Sequence, residues 1–467
     1  MFDLVISGGT VVTPATSEAL DVAVQGERVA ALGVAGSFAD LTKETIDASG
    51  MYVLPGVVDT HIHSFEEWLG DKMPGFRAES LSAAYGGMTT FIDYGDQPEG
   101  VSLPQAHDER EALFTQEKAW IDFSVNAMIS YPTWDTLEEI EPLLDRGVTN
   151  FKIFLSGRSS EPPEEAWCFA FMKRLAERGG VLSVHAEDAS LCRYFTRQLL
   201  EQGKTGLEYL PHAKPALAEA QSVNRIIFLA AHTGAAVFFV HLCSAEAVSL
   251  IRQAQARGLP VYGETCPHYL LFNSDVYSQD DAFRFIRSPV IQDASNQAGL
   301  WEGVIDGTIN SIGSDHVSAY LWRKRELAEG KPFNEIPGGM AQVETMLSVM
   351  YTEGVASGKF TVNRLVELMS ANPSRIFGLY PKKGVIAPGS DADIVLYDPE
   401  PKRKITTTDL HTGLDYTVYE GWDFVGAPVM TMLRGEVVVR NGEVFGSPRG
   451  EFLRRSLRPE IFKGQLR

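Results

Sequence analysis

The stretch Val57-Val58-Asp59-Thr60-His61-Ile62-His63 decides how this chain folds. It extends an apolar run, Tyr52 to Val58, that is too hydrophobic for a strand with one face in water and reads as a buried strand of a parallel sheet. The run ends in two histidines one residue apart. Residues i and i+2 of a strand project to the same side, so both imidazoles can converge on one point. Parallel α/β folds keep their chemistry at the C-terminal ends of their strands. Taken alone, the pair could be two hydrogen-bonded loop histidines or half of a metal site.

Working outward, residues Val53 to about Gly378 alternate strand-like runs with amphipathic stretches. The strand candidates are Thr89–Asp93, Phe123–Met128, Asn150–Leu155, Val181–Val184, Ala236–Val240, Leu259–Tyr262 and Thr308–Ile312. The helical ones include Trp167–Arg178, Ala216–Ala231 and Ala245–Arg257. About eight such alternations predict an α/β fold, a TIM-type (β/α)8 barrel, with a doubly wound open sheet as the competing topology.

Both flanks have a different texture. Residues 1–52 hold short strands and glycine turns with no helix-length period. Residues 380–450 return to strands, with Asn441-Gly442 as a type I′ hairpin turn between Glu436–Arg440 and Glu443–Phe445. The economical reading is that 1–52 and 380–450 pair into one small composite β-sandwich beside a barrel of 53–379. Residues 451–467, with Arg454, Arg455 and Arg458, are expected to form a surface or inter-subunit arm.

Composition sets limits. The chain has 467 residues, 44% hydrophobic and 22% charged, which suits one large and one small globular domain. A net charge of -20 without a basic cluster argues against a nucleic-acid partner. No apolar run approaches the ~20 residues of a membrane span, and no basic n-region precedes an apolar one, so a cytoplasmic location is expected. The four cysteines, Cys168, Cys192, Cys243 and Cys266, are scattered, consistent with a reducing compartment and no thiolate zinc site.

Further polar residues fall where strands end. His185 follows Val181–Val184, His241 follows Val237–Val240, and Asp315 follows Ser311–Ser314. Any one alone is more often a buried, hydrogen-bonded side chain; four histidines and an aspartate in the same strand-end position point to metal binding. Lys152 lies inside the apolar strand Asn150–Phe154, where a bare ammonium is costly. It could snorkel or pair with a carboxylate. Alternatively, CO2 converts it to a carbamate, an anion able to bridge two cations.

The ordered set His61-Ile62-His63, Phe151-Lys152-Ile153-Phe154, Ser183-Val184-His185-Ala186-Glu187, Val240-His241-Leu242-Cys243-Ser244 and Gly313-Ser314-Asp315-His316 resembles the cyclic amidohydrolases, the dihydropyrimidinase, hydantoinase and allantoinase branch of the amidohydrolase superfamily. The likeness extends through Glu264–Leu270, Ala371-Asn372-Pro373 and Pro388–Asp393. The resemblance implies two divalent ions, usually Zn2+. His61 and His63 with Asp315 would hold one, His185 and His241 the other, and carbamylated Lys152 would bridge. A hydroxide between the ions would attack the amide carbonyl, since metal lowers the pKa of water from 15.7 toward ~7. Asp315 would carry its proton to the leaving ring nitrogen. The resemblance also implies a homo-oligomer, commonly a tetramer. His316 and His268 read as supporting or structural, and His107, His212, His232 and His411 as ordinary.

Substrate contacts depart from the pattern. Gly157 stands where dihydropyrimidinases carry an oxyanion-binding tyrosine. Ser156 and Arg158 could replace it but read more simply as solvated loop residues. Ser288 matches the serine whose main chain reads the cyclic imide. Gly338 stands where an asparagine is usual, leaving its backbone. Ser64-Phe65-Glu66 lacks the arginine of dihydroorotases. The expected activity is hydrolysis of a hydantoin, dihydropyrimidine or similar ureide. The alternatives are an allantoinase, a mononuclear deaminase or ring hydrolase, or a non-catalytic assembly protein, the last disfavoured because all six donors are present.

Overall fold

A computed structural model describes residues 1–64, 74–464 and 466. Its larger sheet is parallel: β1 (Val57–His63), β2 (Met88–Gly95), β3 (Asp122–Met128), β4 (Asn150–Phe154), β5 (Val181–His185), β6 (Ala236–Phe239) and β7 (Val261–Thr265) pair in sequence order. The last position is split. β8 (Ser311–Ile312) pairs with β7, and β9 (His316–Val317) pairs with β1, closing the barrel across Gly313-Ser314-Asp315. Helices alternate with these strands, among them Glu165–Arg178, Ala189–Glu201, Ala216–Thr233 and Ala245–Ala256. Local chemistry sets their ends. Asp188 and Ser244 cap the amides of Leu191 and Ala247, and Gly179 and Gly234 stop two helices at positive φ, where a side chain is disfavoured.

The flanking segments form a second, ten-stranded sheet. Its junction is Tyr52–Pro55, antiparallel to Ile394–Tyr397 of the C-terminal segment and parallel to Thr10-Val11 of the N-terminal one. The sheet folds over a core where Leu4, Val22 and Val24 meet Ile394, Leu396 and Met432, making a β-sandwich from both ends of the chain. In the hairpin after Glu436–Arg440, Asn441 and Gly442 have φ of 50° and 80°, as a type I′ turn requires.

Two expectations need correcting. The apolar run Tyr52 to Val58 is not one strand: Tyr52–Pro55 belongs to the sandwich and Val57–His63 to the barrel. Gly56 makes the switch, because a Cβ there would lie 2.0 Å from the Thr89 hydroxyl oxygen. Nor is the C-terminal arm a surface appendage. The Phe123 amide donates to Glu451 and the Leu453 amide to Phe123, and Leu453 and Ile461 join a cluster with Val58, Val181 and Tyr262 under the barrel. Arg455 is buried there, donating to Asn126 Oδ1 at 2.7 Å and the Val125 carbonyl at 2.8 Å. Its charge reads as a surface feature until those acceptors come into view.

Candidate active site

The five residues singled out at strand ends and Lys152, from inside one, meet. His61 and His63 share the inward face of β1, and Lys152 reaches them from β4, its Nζ 2.8 Å from His61 Nε2 and 3.4 Å from His63 Nε2. Asp315 Oδ1 lies 3.3 Å from His61 Nε2 and 3.6 Å from His63 Nε2, so these three residues present ligand atoms within 4.8 Å of one another. His185 Nδ1 and His241 Nε2 face each other at 2.9 Å, and the His241 ring centroid stands 5.2 Å from that of His61. All six are buried. His241 and Asp315 have φ of 41° and 47°, a left-handed backbone uncommon outside glycine and typical of functional sites.

Carboxylates unassigned from the sequence orient this cluster. Glu264, at full burial on β7, lies 2.6 Å from His61 Nδ1 and also receives the His241 amide at 3.3 Å. Glu187 lies 2.7 Å from His185 Nε2. A metal-bound imidazole usually has its other nitrogen held by such a carboxylate, which here leaves His61 Nε2 and His185 Nδ1 facing the shared space. Burial drives the His61, His63 and His241 imidazoles well below their ordinary pKa, and Lys152 adds to this at all three. They are therefore neutral and available as ligands. Burial acts against ionisation of Glu187, but Lys214 and the His185 contact outweigh it and hold the carboxyl well below its usual range. Burial pushes Glu264 up to about 8, with Asp59 adding repulsion. Four buried imidazoles, one carboxylate and one lysine make a donor set of the kind that divalent cations bind.

A cavity of about 570 Å³ opens onto the cluster. Ser288 and Gly338 both line it. A Cβ on Gly338 would come 2.6 Å from Arg287 Cα, which accounts for glycine at that position. Ser156, Gly157 and Arg158 line it too, so Ser156 and Arg158 are pocket residues and not simply solvated loop. Three other side chains escaped notice. Arg287 pairs with Asp315 and donates to Tyr269 Oη at 2.8 Å; Lys214 donates to Ser288 Oγ at 2.7 Å; Tyr94 stacks on His63 with centroids 5.5 Å apart. A carboxylate in the otherwise apolar run of β7 is the one local signal that could have exposed Glu264. His268 contacts Gln342, and His316 accepts from the Gln342 amide while donating to Ser318 Oγ, so both brace the site from behind. Phe65 and Glu66 lie outside the described residues.

The sequence model of the amidohydrolase family matches residues 52–438, and the chain belongs to that family. It is 35% identical over 448 residues to the D-hydantoinase of Streptomyces coelicolor, covering 95% of each chain. A D-phenylhydantoinase of Escherichia coli is 34% identical over 97% of this chain and 98% of its own. The crystal structure of a dihydropyrimidinase from Brevibacillus agri matches with a TM-score of 0.91 at 34% identity, over 97% of this chain and 99% of that one. An L-hydantoinase (dihydropyrimidinase) from Arthrobacter aurescens matches with a TM-score of 0.90 at 29% identity, over 97% of this chain and all of that one. Within the family, the chain therefore sits with the hydantoinases and dihydropyrimidinases.

Proposed function

We propose that the chain opens a hydantoin, dihydropyrimidine or similar cyclic ureide by hydrolysing a ring amide C–N bond, yielding an N-carbamoyl or related acyclic acid. The observation that carries this reading is the convergence of His61, His63, Lys152, His185, His241 and Asp315 at the floor of one cavity. In it, His61, His63 and Asp315 would hold one divalent ion and His185 and His241 the other, with Lys152, as its carbamate, a further donor. Two such ions, Zn2+ in this reading, supply a water acidic enough to deprotonate near neutral pH and a Lewis acid for the carbonyl.

This chain's residues do the rest. Asp315 takes the proton of the attacking water and returns it to the leaving ring nitrogen, one carboxylate acting as base and then acid. Glu264 and Glu187 keep His61 and His185 in the tautomer that faces the cavity. The main chains of Ser288 and Gly338 read the imide edge of the ring, and Arg287 limits the swing of Asp315. The same resemblance implies a homotetramer, which sedimentation would test.

The deciding experiment pairs metal analysis of wild type and Lys152→Ala with a screen of cyclic ureides and imides. About two metals per chain, fewer in the variant and with hydrolysis lost, supports the reading. One metal with intact activity in the variant rejects it.

A further inference from the structure

Basic side chains line the cavity of a chain whose net charge is -20. Besides Lys152, its described lining includes Arg158, Arg193, Lys214 and Arg287, and Lys214 and Arg287 are paired with Glu187 and Asp315. Lys214 and Arg287 stand at the ring-reading end, on Ser288 Oγ and Asp315 respectively. Arg158 and Arg193 stand at the outer wall. The loop after β4 contributes Ser156, Gly157, Arg158 and Ser159 to that wall, and the helix Ala189–Glu201 contributes Arg193. Arg158 Cζ lies 5.3 Å from the centroid of Phe154, and Lys152 Nζ lies 5.0 Å from the same centroid, which puts the guanidinium one aromatic ring away from the reacting centre.

Both outer arginines have carboxylate partners: Arg158 meets Asp96 at 3.1 Å, and Arg193 meets Glu161 at 3.0 Å. The second pair is largely in water, with side chains 62% and 82% exposed, so it holds Arg193 only weakly and a ligand carboxylate can take its place. Guanidinium groups bind carboxylates through two parallel hydrogen bonds, which suits this wall to a planar anion more than to an alkyl or aryl group.

We propose that the ring this site opens carries an anionic exocyclic substituent, a carboxylate on a short arm, held by Arg158 and Arg193 at the outer wall. The proposal rests on the cyclic-ureide reading above and adds the charge of the substrate to it. The ring's scissile amide lies at Asp315, its imide edge at Ser288 and Gly338, and its substituent crosses Phe154 to the arginines.

The test compares two hydantoins matched in size, one with a 5-(2-carboxyethyl) and one with a 5-butyl substituent, on the metal-loaded enzyme. The carboxylate should be favoured in kcat/KM by roughly tenfold or more, and the preference should shrink as salt rises, as for a partly exposed charge contact. In Arg158→Gln/Arg193→Gln the anionic substrate should lose about tenfold, through KM, while the butyl compound stays within about twofold. A second arm measures binding of the two ring-opened N-carbamoyl amino acids by calorimetry, without turnover. An equal or better butyl substrate, an equal loss of both in the variant, or tighter binding of the neutral product would each overturn the proposal. Failure of both rings to open would overturn the hydrolase reading, and the binding arm would still decide the charge preference.

Discussion

The two ends of the barrel each bury a lysine and treat it in opposite ways. At the floor, Lys383 Nζ lies 2.6 Å from Asp122, 2.9 Å from Asp391 and 2.7 Å from Asp393, and Arg434 also joins Asp122. Burial alone would lower its pKa, but the three carboxylates reverse that and hold the ammonium above its ordinary pKa. The three aspartates have the spacing of a metal group, yet they converge on a lysine that already supplies the positive charge. The node ties the first residue of β3 to the Ser390–Asp393 segment of the sandwich. At the mouth, Lys152 faces the nitrogens of His61 and His63, whose protonation its charge opposes. Lys152 thus meets imidazole nitrogens where Lys383 meets three carboxylates. Burial is the same at both ends; the neighbours make one lysine a structural counter-ion and the other a candidate bridge.

Breaking the mouth should have the largest effect. Lys152→Ala is expected to lower kcat/KM by about 10³-fold or more, because the binuclear site proposed above would lose its bridge and its activated water. Initial-rate assays with metal analysis check this, and the melting temperature should move little by comparison. Breaking the floor should do the reverse. Lys383→Met leaves three carboxylates buried without their cation and should cost about 3–5 kcal/mol in stability, read from denaturant midpoints. Because the node is remote from the cavity, kcat/KM of the folded fraction should stay within about twofold.

A finer cut at the mouth is Glu264→Gln, which replaces the carboxyl group that orients His61 and should weaken metal affinity or activity about 10–100-fold, measured by competition with a chelator. A pH-dependent effect concerns a third buried lysine. Lys324 donates to the Gly339 carbonyl at 2.9 Å, and burial, with Arg287 adding repulsion, pushes its pKa down to about 7 from 10.5. Between those values the unfolded chain binds more protons than the folded one, so stability should rise with pH across that window and be lower beneath it. Melting scans of wild type and Lys324→Met across the window check this: the rise should flatten in the variant.

The barrel was legible because a parallel strand buried on both faces must be largely apolar, and β2 to β6 each leave that mark within a residue or two of their observed ends, while β7 runs three residues past the expected Tyr262. The candidate ligands were legible for a related reason, since a polar side chain at the end of such a run has no solvent to face except the mouth. Glu264, Glu187, Arg287 and Lys214 were not assigned, because a carboxylate or cation acquires its role from a partner distant in the chain: Glu264 from His61, Arg287 from Asp315. Arg455 misled for the same reason, its acceptors lying on β3.

Hydrophobic periodicity, a local property of consecutive side chains, by itself determined the alternation of strands and helices, the two β-rich flanks and the placement of His61, His63, His185, His241 and Asp315 at strand ends. Only the tertiary structure decided that Gly56 divides one apolar run between two sheets, that the C-terminal arm seals the barrel floor, and that Lys152 lies among imidazoles while Lys383 lies among carboxylates. Burial free energy follows from what a residue is, whereas the electrostatics of a buried charge follow from what folding brings within a few ångströms of it.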